Sequence, residues 1–313
     1  MTGPAPSVAT VRVAVRRGLA DVPAGVRIGV ALSGGPDSLA LTAAAAFERS
    51  GCVTALVVDQ HWYDGSAEAC ALAADQATAL GADAVVLDGP APRQEAAARD
   101  ARYAALAAAA EERSLATVLL GHTADDQAET VLLALLRGSG ARSLAGMAAV
   151  RGPFRRPLLD LTRQDTRDAC AAQGLTPYDD PANDDPAFAR TRVRELVATL
   201  GRDVTANLVR TARLLRADAD LLDALASDTD VGHPDGGLDV EKLALLPDAL
   251  RTRVLHCLAA GLTSVHVQAI DGLITDWHGQ GGVSLPGGDR VVRASGRIVV
   301  VMSARVKSDR SGR

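Results

Sequence analysis

Lysine is nearly absent from this chain. Lys242 and Lys307 are the only two among 313 residues, so arginine carries almost all of the positive charge. No G-x-x-x-x-G-K-[ST] run occurs, and without a lysine to reach a β- or γ-phosphate a P-loop kinase or GTPase has little support. A G-x-G-x-x-G turn after the first strand is missing too, which removes the usual dinucleotide-binding fingerprint. Cysteine is scarce. Cys52, Cys70, Cys170 and Cys257 lie far apart with no C-x-x-C, so neither a zinc knuckle nor a disulfide framework is indicated and buried cytosolic thiols are the default. Although 48% of the residues are apolar, no uninterrupted stretch approaches the roughly 20 residues a membrane span needs. The N-terminal segment has Arg12, Arg16 and Arg17 among its apolar positions and lacks the h-region of a signal peptide, so it reads as a first helix of a cytoplasmic protein with no membrane partner. No internal repeat is apparent.

The length suits one large domain or two smaller ones, and a shift in composition near residue 216 favours two. The net charge of −5 seems to speak against a nucleic-acid partner, but charge is unevenly spread. From Arg137 to Arg216, fourteen arginines face nine acidic residues, a local balance of +5 that leaves −10 for the rest. The middle of the chain is thus the candidate phosphate-contacting face, although genome composition explains an arginine bias equally well.

The stretch Ile28 to Leu41, IGVALSGGPDSLAL, joins a short apolar run to Ser33, Gly34, Gly35, Pro36, Asp37 and Ser38 at the start of a helix. Two glycines permit a tight turn and close backbone approach, the hydroxyls add donors, and the open amides of a helix N-terminus attract phosphate. An ordinary Gly-Gly turn would need neither the flanking hydroxyls nor the carboxylate. Onward, the pattern predicts helix over Leu39–Ser50, strand over Cys52–Asp59, helix over 66–80, strand over Ala84–Leu87, helix over Arg93–Arg113 and strand over Thr117–Leu120. Strands alternating with helices predict an α/β fold, a doubly wound parallel sheet. Ligands would bind at the carboxyl ends of its strands, where Ser33, Asp59 and His122 emerge.

A second cluster, GHTADDQAETVLLALLRGSG from Gly121 to Gly140, runs from strand exit through a polar turn into an amphipathic helix. With a helix start near Thr123, Asp126 and Glu129 fall on one face, where hard oxygen ligands suit Mg²⁺ bound to phosphates. A structural alternative stands beside this: Thr123 and Asp126 fit a capping box, and acids in a first turn are favoured by the macrodipole. Asp125 is open between the two readings. His122 is open between nucleotide contact and a hydrogen-bonded core residue. The run of Arg190, Arg192 and Arg194 is open between catalysis and a solvated face.

SGGPDS resembles the pyrophosphate loop of the ATP pyrophosphatase superfamily, whose adenine nucleotide alpha hydrolase-like sheet is Rossmann-like. With GHTADDQAETVLLALLRGSG about ninety residues later, the chain is similar to the bacterial tRNA(Ile)-lysidine synthetase family. Arg99, Arg102 and Tyr103 resemble that family's R-x-x-R-Y helix, Arg156 to Leu159 its RPLL step, and Asp180 to Arg194 its DPxNxD segment with closely spaced arginines. The likeness covers roughly residues 25 to 200. Two departures stand out: VDQHWY where the family has VDHGLR, and Thr191 after Arg190 where it has asparagine.

The resemblance implies a ligase that uses ATP and Mg²⁺ to adenylate the wobble cytidine of an isoleucine tRNA with a CAU anticodon. Free L-lysine then displaces AMP to give lysidine. It assigns Ser33, Gly34, Gly35, Pro36, Asp37, Ser38, Asp59 and His122 to the nucleotide, and Arg99, Arg102 and Tyr103 to substrate. Asp37, Asp126, Glu129, Arg190 and Arg194 would be catalytic, with Asp126 and Glu129 also the candidate Mg²⁺ ligands. The domains implied are a catalytic unit over 1–215, a smaller C-terminal helical/β domain over 216–305 that positions tRNA, and a flexible tail over 306–313; a homodimer is an open arrangement. Three competitors remain. A tRNA thiolase of the superfamily would be expected to carry a catalytic cysteine or C-x-x-C pairs, an adenine-nucleotide sensor would lack the basic middle segment, and a small-molecule amide-forming ligase would need no RNA.

Overall fold

Apolar runs that alternate with alanine-rich helices leave the chain one economical solution, a sheet covered on both faces. The computed structural model describes residues 3–61, 65–89, 95–178, 189–259 and 261–303. Helix α1 (Pro6–Gly18) precedes β1 (Ile28–Ala31), α2 (Pro36–Glu48), β2 (Val53–Asp59), α3 (Ser66–Ala79), β3 (Asp83–Asp88), α4 (Glu95–Glu112), β4 (Val118–Leu119) and α5 (Ala124–Leu136). Next come α6 (Ala141–Leu144), β5 (Val150–Arg151), β6 (Phe154–Arg155), α7 (Arg163–Ala171), α8 (Ala189–Leu200) and α9 (Arg202–Asp228). The first sheet has the order β3-β2-β1-β4-β6-β5, parallel throughout except where β5 meets β6. Strand β2 is buried at every residue but Val58, as expected of a parallel strand covered on both faces. Nine consecutive residues of α2, Ser38 to Ala46, are buried, which explains why that helix is apolar all round.

One core cluster joins α1, α2, α3 and α7 through Val11, Leu39, Leu41, Ala77 and Ala169; another sets Leu106 and Ala109 of α4 against Leu56, Val118 and Phe154. The sheet is therefore wound on both sides, and β1, β2 and β4 all end toward one edge. Chain contacts divide the protein into a first unit, Met1–Gly138 with Ser143–Leu214, and a second, Ser139–Arg142 with Leu215–Arg313.

The second unit holds β7 (Leu238–Asp239), α10 (Val240–Ala244), α11 (Asp248–His256), α12 (Ser264–Thr275), β8 (Val283–Ser284), β9 (Arg290–Ala294) and β10 (Arg297–Val301), its sheet running β7-β10-β9-β8 in antiparallel order. Its core gathers Leu243, Leu255, Ile270, Leu273, Val291 and Ile298. Lys242 reaches Asp230 at 3.3 Å and the Gly232 carbonyl at 3.2 Å.

Several boundaries differ from the sequence reading. Helix α2 starts at Pro36 rather than Leu39, because proline is pre-set for a first helical position. In the second unit the helical stretch from Val240 to His256 is broken at Pro247 into α10 and α11. The hairpin turn at Pro286-Gly287-Gly288 is present between β8 and β9, and a second turn at Ser295-Gly296, with positive φ at both residues, adds β10. Trp62, Tyr63, the Asp180–Asp185 stretch and the tail lie outside the described residues.

Candidate active site

The loop after β1 is shaped by its own hydroxyls. The Ser33 amide donates to Ser38 Oγ at 3.2 Å, the two seryl oxygens are 3.1 Å apart, and Ser38 Oγ donates to the Gly35 carbonyl at 3.0 Å. Gly34 adopts φ +85°, a conformation that disfavours a side chain, and its carbonyl accepts from the Tyr178 amide at 2.9 Å. Gly35 caps α2 without a side-chain hydrogen bond, so no capping side chain claims the first amides of the helix. A Cβ on Gly121 would lie 3.0 Å from the Ser38 amide nitrogen and 3.1 Å from the Asp37 carbonyl carbon, so the exit of β4 is held against the loop only because that residue is glycine. Together these features make an anion cradle at the sheet edge.

The cradle opens into a cavity of about 700 Å³ lined by Ser33, Asp37, Asp59, Arg99, Arg102, Tyr103, His122, Asp126, Arg190 and Arg194, among others. Asp59, at the end of β2, accepts from the His61 amide at 2.9 Å and the Ser66 hydroxyl at 2.8 Å. Burial works against its charge, but those two donors and the nearby imidazole hold it below the usual carboxylate range. His61 reaches across to Asp88 at 2.6 Å, and that bond with the Asp59 charge raises its pKa.

Asp126 forms the capping box that the sequence offered as its structural reading. Its Oδ2 accepts from the Thr123 amide at 2.8 Å, closing a capping box at the start of α5, while its Oδ1 accepts from Arg163 Nη2 at 3.0 Å. Glu129, only 2% exposed, takes Arg163 Nη2 at 3.1 Å and Arg194 Nε at 3.0 Å on the same oxygen. Its other oxygen is buried with no hydrogen-bond partner among the described residues. Asp125 accepts from the Arg163 amide at 2.7 Å. Asp37 accepts from the Thr166 hydroxyl and lies 3.8 Å from Arg163 Nε. Burial pushes Asp37 up to about 6 against the pull of Thr166, with repulsion from Asp126 adding to the rise and Arg163 opposing it. For Asp126 the cost of burial is outweighed, chiefly by the Arg163 charge, so it stays below the ordinary range.

Across the cavity the charge reverses. Arg99 hydrogen-bonds the Tyr103 hydroxyl at 3.3 Å with its guanidinium 5.1 Å from that ring, and Arg156 reaches the same hydroxyl at 3.3 Å. Among the described residues no carboxylate lies within ion-pairing distance of Arg99, Arg102 or Arg190. Burial lowers the pKa of Arg99 and Arg102, and in Arg102 the positive neighbour Arg99 adds to the effect. His122 sits between the two regions with a buried Nδ1 that has no hydrogen-bond partner among the described residues. Burial, and repulsion from Arg156, Arg99 and Arg190 against the pull of Asp126, bring its pKa to about 3, so the ring is neutral at physiological pH.

Residues 11–200 match the family described as PP-loop domain, and residues 238–299 the family described as TilS substrate binding domain. The tRNA(Ile)-lysidine synthase of Thermobifida fusca is 50% identical over 96% of this chain and 99% of its own. The chain belongs to the tRNA(Ile)-lysidine synthase family. Another member, from Streptomyces coelicolor, is 45% identical over 95% of this chain and 99% of its own. Among solved structures, the U34-tRNA thiolase NcsA from Methanococcus maripaludis, with its [4Fe-4S] cluster, shares the fold with a TM-score of 0.57 and 18% identity, covering 67% of this chain and 80% of that one.

For a lysidine synthase family member, the sequence reading left out Arg163, Thr166 and Arg156 as site residues. One signal was available: Thr162 and Asp165 form a capping box that marks a helix start, and it puts Arg163 at the first helical position. A cation there opposes the helix dipole, so it needs acids from elsewhere to hold it. The four cysteines are free, and Cys170 is buried behind the loop with its Sγ 3.4 Å from the Pro36 carbonyl. Among the described residues no helix is long and apolar enough to cross a membrane.

Proposed function

We propose that this chain ligates free L-lysine to C2 of the wobble cytidine of an isoleucine tRNA with a CAU anticodon, in the cytoplasm, in two steps driven by ATP. Family membership over nearly the whole chain and the PP-loop domain support ATP use and a tRNA substrate. In the first step cytidine O2 attacks the α-phosphate and pyrophosphate leaves. In the second the ε-amine of lysine forms a bond to C2 while the C2–O bond breaks and AMP departs with the electron pair. The observation that carries this reading is that one cavity is lined by the loop and helix start after β1, by the acids Asp37, Asp59 and Asp126, and by Arg99, Arg102 and Arg190, which meet no carboxylate among the described residues. A triphosphate, an amine and an RNA phosphate are the three charges such a cavity complements.

Ser33, Gly34, Gly35, Pro36 and Ser38 hold the pyrophosphate portion of ATP in this proposal, and Asp59 and His122 flank the nucleotide. Asp126 at the cavity wall and the more deeply buried Glu129 attract the attacking amine through their charge rather than through a vacant oxygen, Arg190 and Arg194 act at the α-phosphate or cytidine, and Arg99, Arg102 and Tyr103 hold the target nucleotide. The second unit positions tRNA. Mg²⁺ supplies charge neutralisation on the ATP phosphates. The proposed protein ligands do not fit it well: both oxygens of Asp126 and one of Glu129 already accept from a backbone amide or arginine, and the described residues hold no cluster of three metal-ligating side chains.

The test is pyrophosphate release from ATP with Mg²⁺ and free lysine, comparing an isoleucine tRNA and a methionine tRNA that share the CAU anticodon. Release and one incorporated lysine are expected with the isoleucine tRNA alone. Release that needs no RNA would point instead to a small-molecule ligase.

A further inference from the structure

Arg163 is the feature the proposed reaction has not used. It is rooted twice, by its own amide on Asp125 and by a guanidinium that reaches Asp126 and Glu129 of α5 and faces Asp37 of α2. Its side chain is 23% exposed and those of its partners between 2% and 21%, so water screens these charges incompletely. Thr166, one turn along α7, places its hydroxyl on Asp37 and 2.8 Å from the Arg163 carbonyl. The same acids that would stabilise an incoming ammonium therefore already carry a fixed cation.

An amine attacks through its lone pair, so the ammonium that binds must first shed a proton. Acids alone would attract lysine yet hold it protonated, since an opposite charge within about 4–6 Å shifts a titration by about 1–3 units toward the charged form. We infer that Arg163 is a positioning residue for the transfer step, its guanidinium offsetting the Asp37–Asp126–Glu129 charge so that lysine's ε-nitrogen attacks as the free base. The proton passes to solvent, the C2–N bond forms from the nitrogen lone pair, and the C2–O pair leaves on AMP. Arg194 on α8, which shares one oxygen of Glu129, adds to the offset; Asp125 on α5 opposes it, and His122, at the strand exit before α5, is neutral. The inference rests on lysine being the amine and on Asp126 and Glu129 receiving it.

The experiment compares wild type, R163Q and R163K in full-length protein with isoleucine tRNA, ATP and Mg²⁺, following lysine incorporation against pH and lysine concentration. For R163Q the KM for lysine is expected to fall while kcat at neutral pH drops about tenfold, with the acid limb of kcat displaced upward by about one pH unit or more. R163K, which keeps the charge, should hold the wild-type limb to within a few tenths of a unit. A merely structural arginine gives the opposite pattern: KM rises, kcat falls equally at every pH, and both variants behave alike. That result would overturn the inference. If wild type releases pyrophosphate but incorporates no lysine at any pH, the lysidine reading itself falls, and this inference with it.

Discussion

At Asp37 burial outweighs both the Thr166 hydroxyl and the Arg163 charge, and its pKa of about 6 makes it a source of pH dependence. In the unfolded chain an aspartate titrates near about 3.9. The folded value is raised, so the contribution to stability is fully present below about pH 4 and is lost as pH climbs through 6. Asp37→Asn should therefore gain stability over wild type across that window, by an amount on the order of 2–3 kcal/mol at neutral pH, while losing turnover. Thermal midpoints of both proteins from pH 4 to 7 check this, and a gap that does not change with pH would show that the carboxylate does not titrate there. Arg99 and Arg102 belong to the opposite side of the cavity. Replacing either with alanine should weaken tRNA binding and reduce the slope of log affinity against log salt by about 1, measured by filter binding at several salt concentrations.

At the level of elements, α7 decides the site as much as the phosphate loop does. Its Thr162 cap accepts from the Asp165 amide, and Thr162→Ala should cost about 1 kcal/mol of stability through that lost cap. Because the cap also sets where Arg163 begins, lysine incorporation should fall more than the stability change explains. Gly121→Ala tests the other contact. Its Cβ would meet backbone on α2 rather than a flexible side-chain end, so the KM for ATP should rise roughly tenfold or more, as catalytic groups misplaced by about 1 Å do. The sheet and loop were legible because β1 and β2 are continuous apolar runs and SGGPDS has a mechanism attached to each residue. Helix α7 was not, since it buries only Thr166, Ala169 and Cys170, and its place is fixed by charge partners far away in sequence. Strands β5 and β6, two residues each, are too short to show a period. Of the two readings the sequence offered for Asp126, the cap is present on one oxygen, and the other oxygen takes Arg163, a partner 37 residues away that no local pattern could show.

For the whole molecule, a net charge of −5 coexists with an arginine-rich cavity wall, so tRNA binding should weaken steeply with salt despite the sign of the total. ATP adds a second handle. Held at one hundred times its Kd, it should stabilise the protein by about 2.7 kcal/mol, a shift in thermal midpoint that Ser38→Ala should reduce if the cradle is where it binds. The scarcity of lysine has a practical side. Residues 1–214 contain none, and Lys242 lies in the second unit beside Asp230. A protein made without isotope and given carbon-13 lysine, or one dyed with amine-directed reagents, presents no internal ε-amine in the catalytic unit to confuse the signal. Spectroscopy of the bound amino acid, and fluorophores attached to lysines outside the first unit, are thus open to this enzyme without a single substitution.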